Sequence, residues 1–275
     1  MVAVPAPLAR GAALLRCPVC HGPLRVDGQS LVCDARHTFD VARHGHVTLA
    51  RGEVPAGDDA AMVAARVAVF DAGHYAPLTQ ALARAATPGV VLDLGAGTGH
   101  HLAAVLAPDG LGFALDTSRP ALRHAARAHP GIAAIVADVW QPLPLGDATV
   151  DLVLDVFSPR NGAEMARVLK PGGVSLVAIP TPEHLAELAG LHAVRVDPDK
   201  VERLERTVGA HLELQGRETV RWTMDLDASA VEQVLKMSPA GAHRRPGEAR
   251  AQRVTGSVEL WRFTTGPGRR RPVDG

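Results

Sequence analysis

The chain is poor in cysteine, lysine and tyrosine. Three cysteines are an odd number, which argues against a framework of paired disulfides. Lysine occurs only at positions 170, 200 and 236, so the positive charge is almost all arginine, a bias that genome composition explains as readily as function. Tyr75 is the one tyrosine. No apolar run reaches membrane-spanning length. The N-terminus lacks the charged, apolar and small-residue succession of a secretory leader, although Val2 to Leu15 is mildly apolar. The expectation is a cytoplasmic protein with no membrane partner.

Within those limits, 275 residues with 47% apolar content suffice for one α/β domain of ordinary size and a small accessory module. Net charge is zero but unevenly placed. Residues 1–51 hold six Arg against three Asp, and residues 240–275 hold eight Arg against three acids, leaving the middle acidic. The two ends are therefore the places where a polyanion could bind.

The stretch Val90-Val91-Leu92-Asp93-Leu94-Gly95-Ala96-Gly97-Thr98-Gly99-His100 is an apolar run, a glycine turn and the start of a helical pattern. Glycines at 95, 97 and 99 let the backbone turn sharply and leave bare main chain for a ligand. A second apolar run, Leu111 to Leu115, ends in Asp116, where a carboxylate would meet two ribose hydroxyls. A dinucleotide site usually shows G-x-G-x-x-G around a pyrophosphate. Here Asp93 leads a D-x-G-x-G-x-G pattern, and a carboxylate suits a cationic ligand better. S-adenosylmethionine, with its ammonium and sulfonium, is the preferred reading; NAD is the alternative.

Near the N-terminus, Cys17-Pro18-Val19-Cys20 is a C-x2-C knuckle, with Cys33 and then His37 at C-x3-H. Three thiolates and one imidazole form a tetrahedral set for a structural zinc with no open position. Asp27-Gly28 between short β-type runs signals a hairpin that returns Cys33 to the knuckle. So small a module needs the metal to fold. Its Arg25, Arg36, Arg43 and Arg51, with His21, His44 and His46 as surface or hairpin residues, make a basic face read as a nucleic-acid contact.

The chain is expected to divide into a zinc-binding, nucleic-acid-contacting module over 1–51, a linker and helix over 52–75, an α/β domain over 76–265, and a Pro/Gly/Arg-rich tail over 266–275 expected to be disordered. One helix is expected from Asp58 or Asp59, with Gly73 as its natural stop, and a second from Pro77 to Ala86. In the catalytic domain strands and helices alternate, the pattern of a parallel sheet. Strands are expected at Val90–Leu94, Leu111–Asp116, Ile132–Ala137, Val150–Val156 and Val174–Ile179. Later pieces are a helix near Pro198–Val208, a strand near Leu212–Thr223, a helix near Ala228–Met237 and a last strand near Val254–Thr264. Asp138 ends the third strand, where an acid can accept from an adenine amino group. Strand four runs into Phe157-Ser158-Pro159-Arg160-Asn161, which lacks the [N/D]-P-P-[F/Y] pattern of adenine amino-methyltransferases.

These residues together resemble the bacterial 23S rRNA guanine-N1 methyltransferases, the RlmA group, up to about residue 264. The resemblance rests on Cys17, Cys20, Cys33 and His37, on Asp71-Ala72-Gly73-His74-Tyr75, Asp93-x-Gly95-x-Gly97, Lys170-Pro171-Gly172-Gly173, Pro182-x-His184-Leu185 and Met237-Ser238-Pro239. It implies a class I S-adenosylmethionine-dependent methyltransferase fold, a Rossmann-like, mostly parallel seven-stranded sheet with a small N-terminal zinc-binding domain. It also implies cofactor contacts at Tyr75, in the Gly97-Thr98 turn and at His184, beside those read directly at Asp93, Gly95, Gly99, Asp116 and Asp138. The turn at Phe157–Asn161 looks like the macrolide (tylosin) resistance branch, associated with nucleotide 748 in a hairpin lining the peptide exit tunnel. The implied partner is that 23S rRNA hairpin of domain II, with a homodimer as a further expectation. Asp155 and His184 are the candidates for a base at guanine N1. A small-molecule methyltransferase acting on a quinone or an antibiotic is the alternative function.

Overall fold

The computed structural model describes residues 3–189, 199–238 and 249–266. The tail from 267, Pro239 of the Met-Ser-Pro sequence and Pro198 at the start of an expected helix lie outside them.

Residues 3–50 form a ribbon. Helix α1 (Ala6–Gly11) precedes the hairpin β1 (Leu24–Asp27) and β2 (Ser30–Cys33), which the Asp27-Gly28 turn closes, and β3 (Thr38–Asp40) adds antiparallel. The next strand, β4 (His46–Thr48), leaves the ribbon and pairs in parallel with β7 (Ile132–Val136) of the main sheet.

Two helices cross from ribbon to sheet, α2 (Ala60–Asp71) and α3 (Ala76–Ala85). Asp59 starts the first, its carboxylate accepting from the Ala61 and Met62 N–H groups at 2.8 Å. Alternation then follows as expected: β5 (Val90–Leu94), α4 (His100–Val105), β6 (Leu111–Asp116), α5 (Arg119–Ala128), β7, β8 (Val150–Val156), α6 (Gly162–Val168) and β9 (Leu169–Pro180). The chain ends with α7 (Lys200–Thr207), β10 (Glu213–Leu226), α8 (Ala228–Lys236) and β11 (Gln252–Thr264).

Among the described residues the main sheet has eight strands in the order β10-β11-β9-β8-β5-β6-β7-β4. Seven are those of the expected fold, and the ribbon contributes the eighth. The six from β9 to β4 are parallel, and β11 enters antiparallel between β9 and β10. Lys170-Pro171-Gly172-Gly173 does not precede β9 but loops out within it. Leu169 pairs with Val150 and Val174 already with Leu152, and Gly172 takes φ +76°. Strand β10 extends past the expected Thr223 to Leu226, because β11 offers it partners back to Gln252.

Strand order reverses at β5, whose neighbours are β6 and β8. In such sheets the crevice at the carboxyl ends of the strands at this switch point receives the ligand. Alternation along β5 sends Leu92 and Leu94 into one apolar layer and Val91 into the other. The first layer also holds Leu8, Leu15, Leu31 and Leu49 of the ribbon. The second packs Leu78 and Leu82 of α3, Leu122 of α5 and Val231 of α8. The ribbon is thus part of the main core.

Gly256 on β11 faces Trp222 on β10. The indole lies flat across the bare backbone, so that a Cβ there would collide with the ring. Trp222 Nε1 donates to the His74 carbonyl at 2.8 Å, tying the sheet edge to the turn before α3. Gly256→Ala should therefore destabilise the fold by about 1–3 kcal/mol, the usual cost of overpacking, read from urea unfolding midpoints.

Candidate active site and zinc ribbon

Cys17, Cys20, Cys33 and His37 place their ligand atoms within 4.8 Å of one another. Cys17 Sγ is 3.5 Å and Cys33 Sγ 3.3 Å from His37 Nδ1, and Cys20 Sγ is 3.6 Å from Cys33 Sγ. A tetrahedral zinc at its usual bond lengths separates such ligands by roughly 3.5–3.8 Å. Backbone N–H groups of Val19 and His37 point at Cys17 and Cys33 sulfurs, at 3.4 and 3.3 Å. Such donors stabilise thiolate charge, the outer-shell support that metal ligands require. His21 and Arg36, at φ +59° and +65°, make the two tight turns. Arg25, Arg36, Arg43 and Arg51 are exposed. His46, expected as a surface or hairpin residue, is instead buried on β4, because that strand joins the main sheet.

At the carboxyl end of β5, Gly95, Gly97 and Gly99 take φ +64°, +54° and +75°. Gly95 has no room for a side chain, since a Cβ would lie 2.5 Å from Ser158 Cβ. The loops after β5 and β8 therefore touch through bare backbone. Asp116 fixes the first loop. Its Oδ2 accepts from Gly97 N–H at 2.8 Å and its Oδ1 from Ser118 N–H at 2.7 Å. Both oxygens keep a further lone pair for ribose hydroxyls. Asp138, half-buried at the end of β7, accepts from Trp140 N–H at 3.0 Å. It lines a cavity of about 160 Å³ with Pro18 and His21 of the ribbon, Leu49 and Arg51.

Asp93 is buried at the root of the loop, and burial, reinforced by Asp155 and Asp116, pushes its carboxyl well above the usual range. A cation seated beside it reverses that cost. Thr98 is buried in the same loop.

Sequence reading gave no sign of Arg66. It projects from α2, pairs with Asp58, donates to the Met237 carbonyl at 2.8 Å and lies 3.4 Å from where a Gly97 Cβ would stand. Its Met237 partner lies 171 residues away, and no short pattern encodes that contact.

Opposite the loop is an aromatic box. Tyr75 is 2% exposed, and its hydroxyl lies 3.3 Å from His184 Nε2. Burial raises its pKa. His184 Nδ1 accepts from Ser257 N–H at 3.2 Å. That bond assigns the neutral ring's proton to Nε2, facing Tyr75. Trp222 packs edge-on against Tyr75 at 5.6 Å, and Phe157 stacks on His184 at 5.6 Å. Phe157 is 41% exposed with φ +59°, and Leu185, after His184, has φ +56°. Both are rare conformations for such residues and mark a constrained mouth. The structure thus brings Tyr75 and His184 together from 109 residues apart.

Asp155, one residue before the end of β8, is fully buried, and Arg160 Nε lies 3.4 Å from its Oδ1. Among the described residues, neither carboxylate oxygen has a partner in full hydrogen-bonding geometry. Burial raises its pKa to about 7, against the pull of Arg160 and Ser158.

An open parallel sheet, a glycine turn flanked by acids at its switch point, and a Cys3His ribbon define a class I S-adenosylmethionine-dependent methyltransferase with a structural zinc. Comparison with known proteins agrees. Residues 15–50 match the RlmA N-terminal zinc ribbon family, and residues 91–173 match a methyltransferase domain family. The chain is 49% identical to the 23S rRNA (guanine(748)-N1)-methyltransferase of Streptomyces fradiae, over 85% of this chain and 88% of that one. A Micromonospora griseorubida protein, named for 23S rRNA (guanine-N1) methylation, is 44% identical over 90% and 96% of the two chains. A Haloferax volcanii protein solved with the Trm112 methyltransferase activator shares the fold, with TM-score 0.52 and 21% identity over 77% of this chain and all of that one. The chain belongs to the RlmA family of 23S rRNA (guanine-N1)-methyltransferases. Among the described residues, no helix is long and apolar enough to cross a membrane.

Purified protein should carry one zinc per chain by elemental analysis. Because the ribbon shares the main core, Cys33→Ser should lose that zinc and lower the thermal midpoint of the whole chain. A low, separate ribbon transition with the main midpoint unchanged would contradict this.

Proposed function

We propose that this enzyme methylates N1 of a guanine in 23S rRNA, at nucleotide 748 in the hairpin loop lining the peptide exit tunnel, and so protects its host against tylosin-type macrolides. The observation that carries this reading is the 49% identity, over most of both chains, to an enzyme named for that nucleotide.

Tyr75, Asp93, Gly95, Gly97, Thr98, Gly99, Asp116, Asp138 and His184 would hold the donor across the carboxyl ends of β5, β6 and β7. When bound, S-adenosylmethionine supplies an electrophilic methyl group on a sulfonium. The chain's own residues must extract the base, hold it in line and take its proton. A base inside a hairpin loop can be unstacked and turned toward the crevice. The exposed face of Phe157 offers it an aromatic surface at the mouth.

Guanine N1 carries a proton at neutral pH, so its lone pair becomes available only as that proton leaves. Asp155 is the proposed acceptor. Its carboxylate is buried at the end of β8, and its pKa of about 7 suits a general base at neutral pH. His184 fits that role poorly, because Nδ1 is occupied by Ser257 N–H and Nε2 carries the proton. It serves better as an orienting partner of Tyr75.

Primer extension on 23S rRNA from cells with and without the gene tests the reaction and target together. N1 methylation blocks Watson–Crick pairing, so a stop beside guanine 748 is expected only with the gene; its absence overturns the reading. Single-turnover rates on the hairpin transcript should rise with pH and level off above about 7, as Asp155 loses its proton. Asp155→Asn should be slower by on the order of 100-fold and lack that inflection. The sign for stability is opposite. A carboxyl with a raised folded-state pKa loses stability as pH climbs from the ordinary carboxylate range to about 7, and Asp155→Asn removes that loss.

A further inference from the structure

Helix α5 reads Arg119-Pro-Ala-Leu-Arg123-His124-Ala-Ala-Arg127-Ala and contains no acid. Its three arginines recur every fourth residue, and all three are exposed. That spacing puts them in one stripe along the helix. Like charges at this spacing repel, and a cation in the first turn opposes the helix dipole. Among the described residues none of the three meets a carboxylate. Helix stability therefore does not account for the arrangement.

The ribbon reaches the same place. The turn at residues 42–45 lies against α5, where a Cβ on Gly45 would stand 3.5 Å from Ala126 Cβ. It carries Arg43, exposed, whose Nε donates to His44 Nε2 at 3.0 Å. Slight burial and then Arg43, Arg123 and Arg127 hold His44 below its ordinary pKa, so it joins the patch as a neutral acceptor. Arg123 and Arg119 act likewise on His46, after burial.

We propose that Arg43, Arg119, Arg123 and Arg127 form one phosphate-binding ridge across ribbon and catalytic domain, gripping the sugar–phosphate backbone of the RNA hairpin's stem. This rests on the reading that the substrate is an RNA hairpin. The ridge begins at the crevice, since Ser118, one residue before α5, is bonded to Asp116. Eight residues of helix extend it about 12 Å, long enough to meet several successive phosphates of one strand. A row of guanidiniums without aromatic anchors suits phosphates and not a protein interface, whose binding energy comes from buried aromatic and arginine side chains in pockets.

The test uses the full zinc-loaded chain and a transcript of the domain II hairpin, with binding measured between about 50 and 200 mM KCl. Arg123→Ala/Arg127→Ala should bind about tenfold more weakly at the low-salt end, and its log–log salt slope should be shallower by about 1.8, at 0.9 per lost phosphate contact. Arg123→Lys/Arg127→Lys should recover most of both, and affinity for S-adenosylmethionine should not change. If the wild type binds and methylates the hairpin while the alanine variant matches it in affinity and slope, the ridge is overturned and the function stands. If the variant loses only heparin binding and keeps the hairpin, the ridge is likewise overturned. If the wild type neither binds nor methylates the hairpin, the functional reading fails and takes the ridge with it.

Discussion

A single carboxylate holds the catalytic crevice together. Asp116 bonds backward to Gly97 and forward to Ser118, fixing the glycine turn and the start of α5 at once. Ser118 passes the restraint on, its hydroxyl donating to the Asp58 carbonyl at 2.6 Å while accepting from Ala121 N–H. Asp58 pairs with Arg66, and Arg66 reaches the end of α8. The Asp116–Gly97, Ser118–Asp58 and Arg66–Met237 bonds join segments 19, 60 and 171 residues apart. Burial raises the pKa of Asp116, while the two N–H groups oppose that rise. The acid that would face the ribose is thus also the one that shapes the loop beneath it.

The second organising constraint is the ribbon's size. With four ligands and three short strands it has little apolar surface of its own. It resolves the shortage by sharing: Leu8, Leu15, Leu31 and Leu49 enter the layer built by Leu92, Leu94, Phe113 and Ile135 of the sheet. Leu49 N–H bonds the Val136 carbonyl at 2.9 Å, and Gly146 N–H bonds the Leu14 carbonyl. Zinc closes the knuckle, but the sheet supplies the hydrophobic support.

Much of this was legible in the sequence because it is encoded locally. The zinc set lies within 21 residues, the glycine turn within seven, and the strand–helix alternation in short apolar runs. Asp59 was readable as a helix start for the same reason. What was not legible depends on chain segments meeting from afar. Nothing near Arg66 reveals that it lies over Gly97, and nothing near Gly95 reveals that Ser158 fills the space its missing side chain leaves. The Tyr75–His184 pair came only from a family resemblance. His46 was misplaced because three residues, His46–Thr48, are too few to announce a strand joining a distant sheet. The strand expected from Val174 in fact starts at Leu169, ahead of the Lys170–Gly173 bulge, because its first pairing is with Val150, a neighbour that the local sequence does not specify.

The parallel pairing of β4 with β7 carries a consequence for how a target base would be selected. A recognition module tethered by a flexible linker can sweep over many positions on its substrate. Here the last ribbon strand is stitched into the sheet at three successive residues, His46, Val47 and Thr48. If the ribbon's basic face grips the RNA as proposed, its separation from the crevice is set by this pairing at the sheet edge. Such an enzyme would work as a caliper. It would single out one guanine among chemically identical neighbours by its distance from the stem, with little need to read the bases between.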